Sequence, residues 1–224
     1  MTMEAIATDL ATRAKASAYT PEQSLLVAVL LSTAGGFLDA FTWLSLGGVF
    51  ANSQTGNVVF LGMYAALGMW HKAAHHIPPI VAFLAGASVA IRIRAPLVCL
   101  VIEVASLATV ALLLPLGFPD SLATAAISFG VAMQTTSFRQ VERWKYLSVT
   151  VTGNLLRALE QVTSTTDPEA ARGARNLLAV CLMFLLGAAA GGFMTVHLAA
   201  SSLVMPIGLL MSALWLGCRH RNRS

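Results

Sequence analysis

The sequence predicts an all-α fold: a polytopic membrane helix bundle of two inverted repeats, each with three spans and one broken or re-entrant segment. Three observations lead there. Hydrophobic residues make up 57% of the 224 positions and charged residues only 11%, where soluble domains run at about 25% charged; the mean hydropathy is +0.74. Apolar runs near the roughly 20 residues that a helical span needs alternate with short loops that hold most of the charges. The tripeptide Thr-Gly-Asn occurs twice, at Thr55-Gly56-Asn57 and at Thr152-Gly153-Asn154, 97 residues apart.

Taken in order, residues 1–23 read as a cytoplasmic tail with Arg13 and Lys15, lacking the pattern of a cleaved signal peptide. The first repeat, residues 24–118, opens with a span at Leu25–Leu46 whose one charge is Asp39, broken by Gly47-Gly48. Val49–Trp70 holds the first TGN. A loop with His71, Lys72, His75 and His76 leads to Pro78-Pro79 and a span at Ile77–Ile91, closed by Arg92 and Arg94. Pro96 restarts the chain into Leu97–Leu116, which carries Glu103.

The second repeat, residues 119–218, starts with Ser121–Phe138, ending in Gln134-Thr135-Thr136-Ser137. A basic loop with Arg139, Arg143 and Lys145 precedes Leu147–Val162, a short polar segment with the second TGN. Ser164–Arg175 reads as a soluble loop, Leu177–Val196 as a Gly/Ala-rich span and Leu203–Cys218 as the last span. Residues 219–224 form a basic cytoplasmic tail. The order span, TGN segment, Gly/Ala-rich span, final span thus occurs twice, and Phe83-Leu84-Ala85-Gly86-Ala87 resembles Phe184-Leu185-Leu186-Gly187-Ala188. Duplicated halves of this kind place a transporter site at their interface.

Basic residues favour the cytoplasmic side of a membrane. If both TGN segments dip in and return, the basic clusters at Arg92/Arg94, Arg139/Lys145, Arg172/Arg175 and the tail all fall inside, leaving Lys72 outside. That arrangement makes the halves inverted, with both termini on the cytoplasmic face of a bacterial inner membrane.

The composition also excludes. The net charge of +4 comes from loops between apolar runs, so nucleic acid is not an expected partner. Cys99, Cys181 and Cys218 lie far apart in apolar runs, without the spacing of a zinc site or disulfide framework. No HExxH, GxSxG or catalytic carboxylate pair is present, so an enzyme is not expected, nor any cofactor or metal. The His71, His75, His76 loop reads as an exposed or pH-sensitive surface before it reads as a metal site.

The polar heart of the chain is Gly35–Gly62, where Asp39 and a row of amides and hydroxyls stand among apolar residues and six glycines. Asp39, Gly48, Phe50, Gln54-Thr55-Gly56-Asn57 and Gly62 together resemble the YoaK-type family of bacterial membrane proteins, grouped as a domain of unknown function. The likeness runs over about Leu25–Gly217, and the second TGN supports it. The resemblance implies a polytopic inner-membrane protein; it supplies no catalytic residue, ligand or activity.

Polar side chains at bilayer depth persist where they face protein or a wet cavity. Asn52, Gln54, Thr55, Gly56, Asn57, Gln134, Thr152, Gly153 and Asn154, together with Asp39, are therefore the candidate substrate-binding residues, and Asp39 and Glu103 the candidate proton carriers. Glu103 is either neutral and hydrogen-bonded or paired with Arg92, Arg139 or Arg157. Two readings stand for the TGN segments. A helix that starts inside the membrane offers free N–H groups to an anion; alternatively the same Thr and Asn side chains only tie helices together. The expected function is a small-solute or anion secondary transporter or channel, with or without proton coupling; the alternative is a non-transporting scaffold or assembly protein. The partners expected are the lipid bilayer and a small-molecule or ion substrate, with Gly35/Gly36 and Gly187, Gly191 and Gly192 as small-residue faces for packing or a homodimer.

Overall fold

The computed structural model describes residues 23–164 and 168–221. The expected N-terminal tail, apart from Gln23, and the last three residues of the basic tail lie outside them. Nine α-helices are described: α1 (Leu25–Ser45), α2 (Gln54–Ala66), α3 (Trp70–His75), α4 (Ile77–Ile93), α5 (Pro96–Leu113), α6 (Asp120–Ser137), α7 (Val151–Ser164), α8 (Pro168–Leu198) and α9 (Val204–Arg221).

Local chemistry sets the ends. The Ser24 hydroxyl caps α1 by accepting from the Val27 N–H at 3.3 Å. Proline opens α4 and α5, where its missing N–H costs nothing. Arg94, at φ 51°, ends α4 in the left-handed region and lets α5 begin two residues later.

Four stretches are long and apolar enough to cross a membrane: Leu25–Ser45, Trp70–Ile93, Pro96–Leu116 and Pro168–Arg219, the last being α8, a 3-10 turn and α9 end to end. α6 is not among them, although a span was expected there. Ser128, Gln134 and Thr135 lower its hydropathy, and the protein accommodates them because α6 lies between α4 and α5 with these side chains buried. Large apolar side chains such as Leu84, Leu112, Leu185, Phe193 and Val204 face outward, as a lipid-covered surface requires.

Close backbone approach holds the bundle together. α1 and α8 run in the same direction along most of α1: Gly187 lies on the Thr33 carbonyl and Gly191 on the Phe37 backbone, while Gly36 lies on the Phe184 carbonyl. α4 and α6 also run together, with Gly86 on the Phe129 carbonyl and Ala90 beside Met133. α5 crosses α6 in the opposite sense, Cys99 near Met133 and Glu103 against Gly130. α9 returns along α1, where Met211 and Trp215 share a surface groove with Leu26 and Leu30, and its Gly217 packs on Leu97 of α5. The core between these helices contains Leu31, Phe37, Phe41, Leu107, Ile127 and Leu203. The glycine faces expected for packing or a homodimer are thus engaged inside the chain at Gly36, Gly187 and Gly191, and Gly192 has nothing within 4 Å.

Two stretches differ from the sequence expectation. The loop expected at Ser164–Arg175 is helical from Pro168, because Ala170, Gly173 and Ala174 are buried. Their cover is a hairpin, β1 (Gln140–Val141) with β2 (Trp144–Lys145), built from the expected basic loop. The Trp144 indole lies on Gly173, and Arg172 meets Glu142 at 2.8 Å and Arg143 meets Glu169 at 3.1 Å. The second difference is the start of Val49–Trp70, where helix begins only at Gln54; the helix then breaks after Ala66, in keeping with the broken TGN segment expected there. At 13 and 14 residues, α2 and α7 extend only about 20 Å, short of the ~30 Å hydrocarbon core.

Candidate functional site

The site begins where α1 ends. Gly47 and Gly48, at φ 81° and 76°, turn the chain back on itself in a conformation that glycine adopts without strain. His75 Nε2 fixes the turn on the Leu46 carbonyl at 2.9 Å. Residues 49–53 then run back beside α1 without forming helix. Their polar groups are met by α1 itself. The Ala51 N–H donates to Thr42 Oγ1 at 3.1 Å, and the Asn52 N–H donates to Asp39 Oδ1 at 2.7 Å. The Ser53 hydroxyl donates to Asp39 Oδ2 at 2.5 Å, and Asn52 Nδ2 to the Gly35 carbonyl at 2.6 Å. Asp39 therefore carries two donors from the segment it faces, which explains a carboxylate inside an apolar helix.

Asn57 closes the break. Its Oδ1 accepts from the Phe50 N–H at 3.0 Å, and its Nδ2 donates to the Phe50 carbonyl at 2.7 Å and to Gln54 Oε1 at 2.9 Å. One amide side chain thereby replaces a strand partner for an irregular residue. Gly56 makes room for the Phe50 ring. The His76 ring packs against both Phe60 and Tyr64, which also contact each other, and its Nδ1 lies 3.3 Å from Asn57 Oδ1.

The second TGN does the same. The Leu147 N–H donates to Asn154 Oδ1 at 3.1 Å, and Asn154 Nδ2 donates to the Leu147 carbonyl at 2.7 Å. Gly153 faces Thr150 and Arg157. Nearby, Gln134 turns its amide nitrogen to Glu103, at 3.0 and 3.1 Å from the two carboxyl oxygens, and accepts from the Ser148 hydroxyl at 2.9 Å. Glu103 is fully buried and hydrogen-bonded, and its partner is Gln134 instead of an arginine.

Between the starts of α2 and α7 lies a cavity of about 530 Å³. One side consists of Asn52, Ser53, Gln54 and Thr55, the other of Val149, Thr150, Val151 and Thr152. Phe83 of α4 and Phe184 of α8 add apolar walls, and Thr135, Thr136 and Arg139 close it from the end of α6. Of the candidate residues, Asn52, Gln54, Thr55 and Thr152 stand in this wall. Asp39 lies one hydrogen bond behind it, through Ser53 and Asn52. Asn57 and Asn154 brace the two breaks, and Gln134 and Glu103 sit behind Ser148. Among the described residues no group of three His, Cys, Asp or Glu could hold a metal ion.

Sequence reasoning did not place Ser53, Arg139, Thr150, Phe83 or Phe184 among the binding residues. A signal existed for some of them: both phenylalanines head the repeated Phe-Leu-x-Gly-Ala segment, and Thr150 occupies the position of Ser53 in the second half. Arg139 carried no such signal, reading as one charge of a basic loop.

No match was found among curated proteins or among solved structures. A family model described as a protein of unknown function (DUF1275) matches residues 27–216. The match spans every helix of the bundle, both TGN segments and the whole cavity wall, and on that ground the chain belongs to the DUF1275 family.

Proposed function

We propose that the protein is a small-solute membrane transporter whose site is the cavity between two inverted repeats. The observation that carries this reading is the composition of the cavity wall. Residues 52–55 face residues 149–152, their counterparts at the 97-residue spacing of the two TGN triplets, and Phe83 faces the same space as Phe184, the two residues that head the repeated Phe-Leu-x-Gly-Ala segment.

The helix directions support the inversion. Relative to α1, helices α5 and α8 run with it and α4, α6 and α9 against it. Pairing α1 with α6, α4 with α8 and α5 with α9 therefore sets opposite directions against each other. The contacts pair in the same way, each crossing between the halves: Gly187 of the second half on the Thr33 carbonyl of the first answers to Gly86 of the first half on the Phe129 carbonyl of the second. Short helices that start inside such a bundle are a recurrent way of building a transport site. The directions also gather Arg92, Arg94, Arg139, Arg143, Lys145, Arg172 and Arg175 at one end, which the positive-inside preference assigns to the cytoplasm of a bacterial inner membrane.

Asp39 is the proton carrier in this reading. The Ser53 hydroxyl lines the cavity and donates to Asp39 Oδ2, so a proton reaching the carboxyl alters a wall group directly. The scaffold reading draws on a separate observation: Thr42, Asn57, Asn154 and Gln134 spend their hydrogen bonds inside the chain. Uptake assays in proteoliposomes separate the two. A panel of labelled organic acids, sugars, amino acids and nucleobases is expected to include a transported class. Thr136→Val and Thr152→Val are expected to abolish that uptake at unchanged protein abundance. Uptake of no class, or uptake indifferent to both substitutions, favours the scaffold.

A further inference from the structure

Resting on the transport reading above, we infer that the cavity has two gates, one at each end of the bundle: the turn after α1, latched by His75, and the hairpin after α6, latched by Glu169 and Arg172. The spacing of the TGN triplets sets His75 against Arg172, Leu46 against Arg143 and Gly47 against Trp144. These counterparts are joined in the same way. In the first half, His75 Nε2 donates to the Leu46 carbonyl at 2.9 Å, an oxygen that only accepts. In the second, Arg172 meets Glu142 at 2.8 Å and Arg143 meets Glu169 at 3.1 Å. Both turns pass through the left-handed region, at Gly47 and Gly48 and at Glu142. Each also sets a ring on a glycine, with the roles exchanged: the His75 ring lies on Gly47, and the Trp144 indole lies on Gly173. Because α1 and α6 run in opposite directions, the two latches sit at opposite ends of the molecule.

Each latch closes a loop whose returning limb becomes cavity wall. Residues 49–53 run from the first turn to Asn52 and Ser53, and residues 146–150 run from the hairpin to Val149 and Thr150. The Tyr146 N–H ties the hairpin at its base to the Arg139 carbonyl at 3.0 Å, and Arg139 and Leu147, on either side of it, both line the cavity. A hairpin that lifts therefore takes cavity wall with it. Val141 and Tyr146 plug the space between Ala28, Ala158 and Leu177, which keeps water out of the closed end. Outside this plug the hold is polar. The side chains of Arg143, Glu169 and Arg172 are 61%, 46% and 44% exposed, and only Glu142, at 9%, is covered. Water replaces ion pairs of this kind at little cost. Gln23 adds its carbonyl to the Glu142 N–H and its Nε2 to Gln140 Oε1. The plug makes closure the resting state, and the polar contacts set how often it yields. The two limbs also share a footing. Asn52 Nδ2 donates to the Gly35 carbonyl at 2.6 Å, and the Val149 side chain lies against the same Gly35. A shift of one limb disturbs the seat of the other, which links the gates as alternating access requires.

The test uses the full chain in membrane vesicles of both orientations, with the exposed Cys218 replaced. Thr152→Cys places a reporter in the cavity wall, and an impermeant methanethiosulfonate reads its accessibility from each side as a labelling rate. Arg143→Glu sets like charges against Glu169. It is expected to raise labelling from the hairpin side several-fold and to lower it from the other side. Glu142→Gln, which removes the charge facing Arg172, is expected to act in the same direction. Exchanging the pair, Arg143→Glu with Glu169→Arg, is expected to restore both rates, which a mere loosening of the surface would not do. His75→Ala frees the Leu46 carbonyl and is expected to raise labelling from the side of the first turn, while His75→Gln keeps a donor and stays near the starting rate. Rates indifferent to Arg143→Glu and Glu142→Gln, a rise on both sides at once, or a charge exchange that restores nothing overturns the inference. Failure of the transport reading looks different: labelling shifts reciprocally between the sides and no solute crosses proteoliposomes. Conversely, Thr136-dependent uptake with labelling indifferent to both latches removes the gates and leaves transport standing.

Discussion

Asn57 and Asn154, 97 positions apart in sequence, perform the same act: each closes two hydrogen bonds onto the backbone of the residue seven positions before it, Phe50 and Leu147. Both are buried, at 0% and 1% exposure. Removing either amide strands one N–H and one carbonyl at a partly buried break in the chain. Each unmet group costs about 1–3 kcal/mol. Asn57→Ala and Asn154→Ala are therefore expected to destabilise by comparable amounts, about 2–5 kcal/mol. The double variant is expected to show additive losses, because the two braces share no partner. Equilibrium unfolding in mixed micelles measures all three; a loss in only one single variant would remove the equivalence.

The glycine contacts make a second pair. A methyl at Gly86 meets the Phe129 carbonyl and one at Gly187 meets the Thr33 carbonyl, and neither backbone can retreat cheaply. Gly86→Ala and Gly187→Ala are expected to cost about 1–3 kcal/mol or more. Gly62→Ala and Gly192→Ala, with nothing within 4 Å, serve as controls and are expected to be neutral or slightly stabilising, since alanine is the better helix former. Thermal midpoints of the four variants settle the comparison.

Asp39 allows a sharper separation of roles. Asp39→Asn keeps one carbonyl oxygen for the Asn52 N–H or the Ser53 hydroxyl, whereas Asp39→Ala leaves both donors unmet. The alanine variant is expected to lose about 2–5 kcal/mol and much of its abundance. The asparagine variant is expected to fold and bind its solute but no longer respond to an imposed pH gradient. Proteoliposome uptake with and without the gradient reads this out, and gradient-driven uptake by Asp39→Asn would exclude the residue as proton carrier.

Sidedness follows from the helix directions. Cysteines at Arg94 and Lys145 are expected to react with an impermeant maleimide from the cytoplasmic side of membrane vesicles, and cysteines at Lys72 and Asp120 from the opposite side. Labelling of positions 72 and 145 from one face contradicts the proposed inversion. Native Cys218 is exposed and is replaced first; Cys99 and Cys181 are buried.

Much of the bundle was legible in the chain because lipid imposes a single strong rule. An apolar run of sufficient length has to be helical, since its backbone groups find partners nowhere else. Leu25–Ser45 and Pro96–Leu113 accordingly fall within a few residues of the spans read from hydropathy. The rule weakens where protein, not lipid, surrounds the chain. It therefore misjudged residues 168–175, whose charges ride on a helix covered by a hairpin, and residues 49–53, whose apolar character disguised a non-helical return strand. The site divides along the same line. Polar residues at bilayer depth marked its neighbourhood, but the division between wall and brace depends on where each side chain finds its partner, and Asn57 and Asn154 find theirs within their own loops.

By itself the sequence determined that this is a helical membrane protein, that its polar groups concentrate around two TGN segments, and where most helices begin and end. Hydropathy and helix-end chemistry act locally and leave their mark in the order of residues. Only the tertiary structure decided that Arg139 and the two phenylalanines share one cavity with Ser53 and Thr150, and that Asp39 stands one hydrogen bond behind it. Those relationships arise from backbones brought into contact at Gly36 and Gly187 across more than a hundred positions of chain, and at Gly86 across more than forty. Proximity of that kind is a property of packing, and nothing in the neighbouring sequence encodes it.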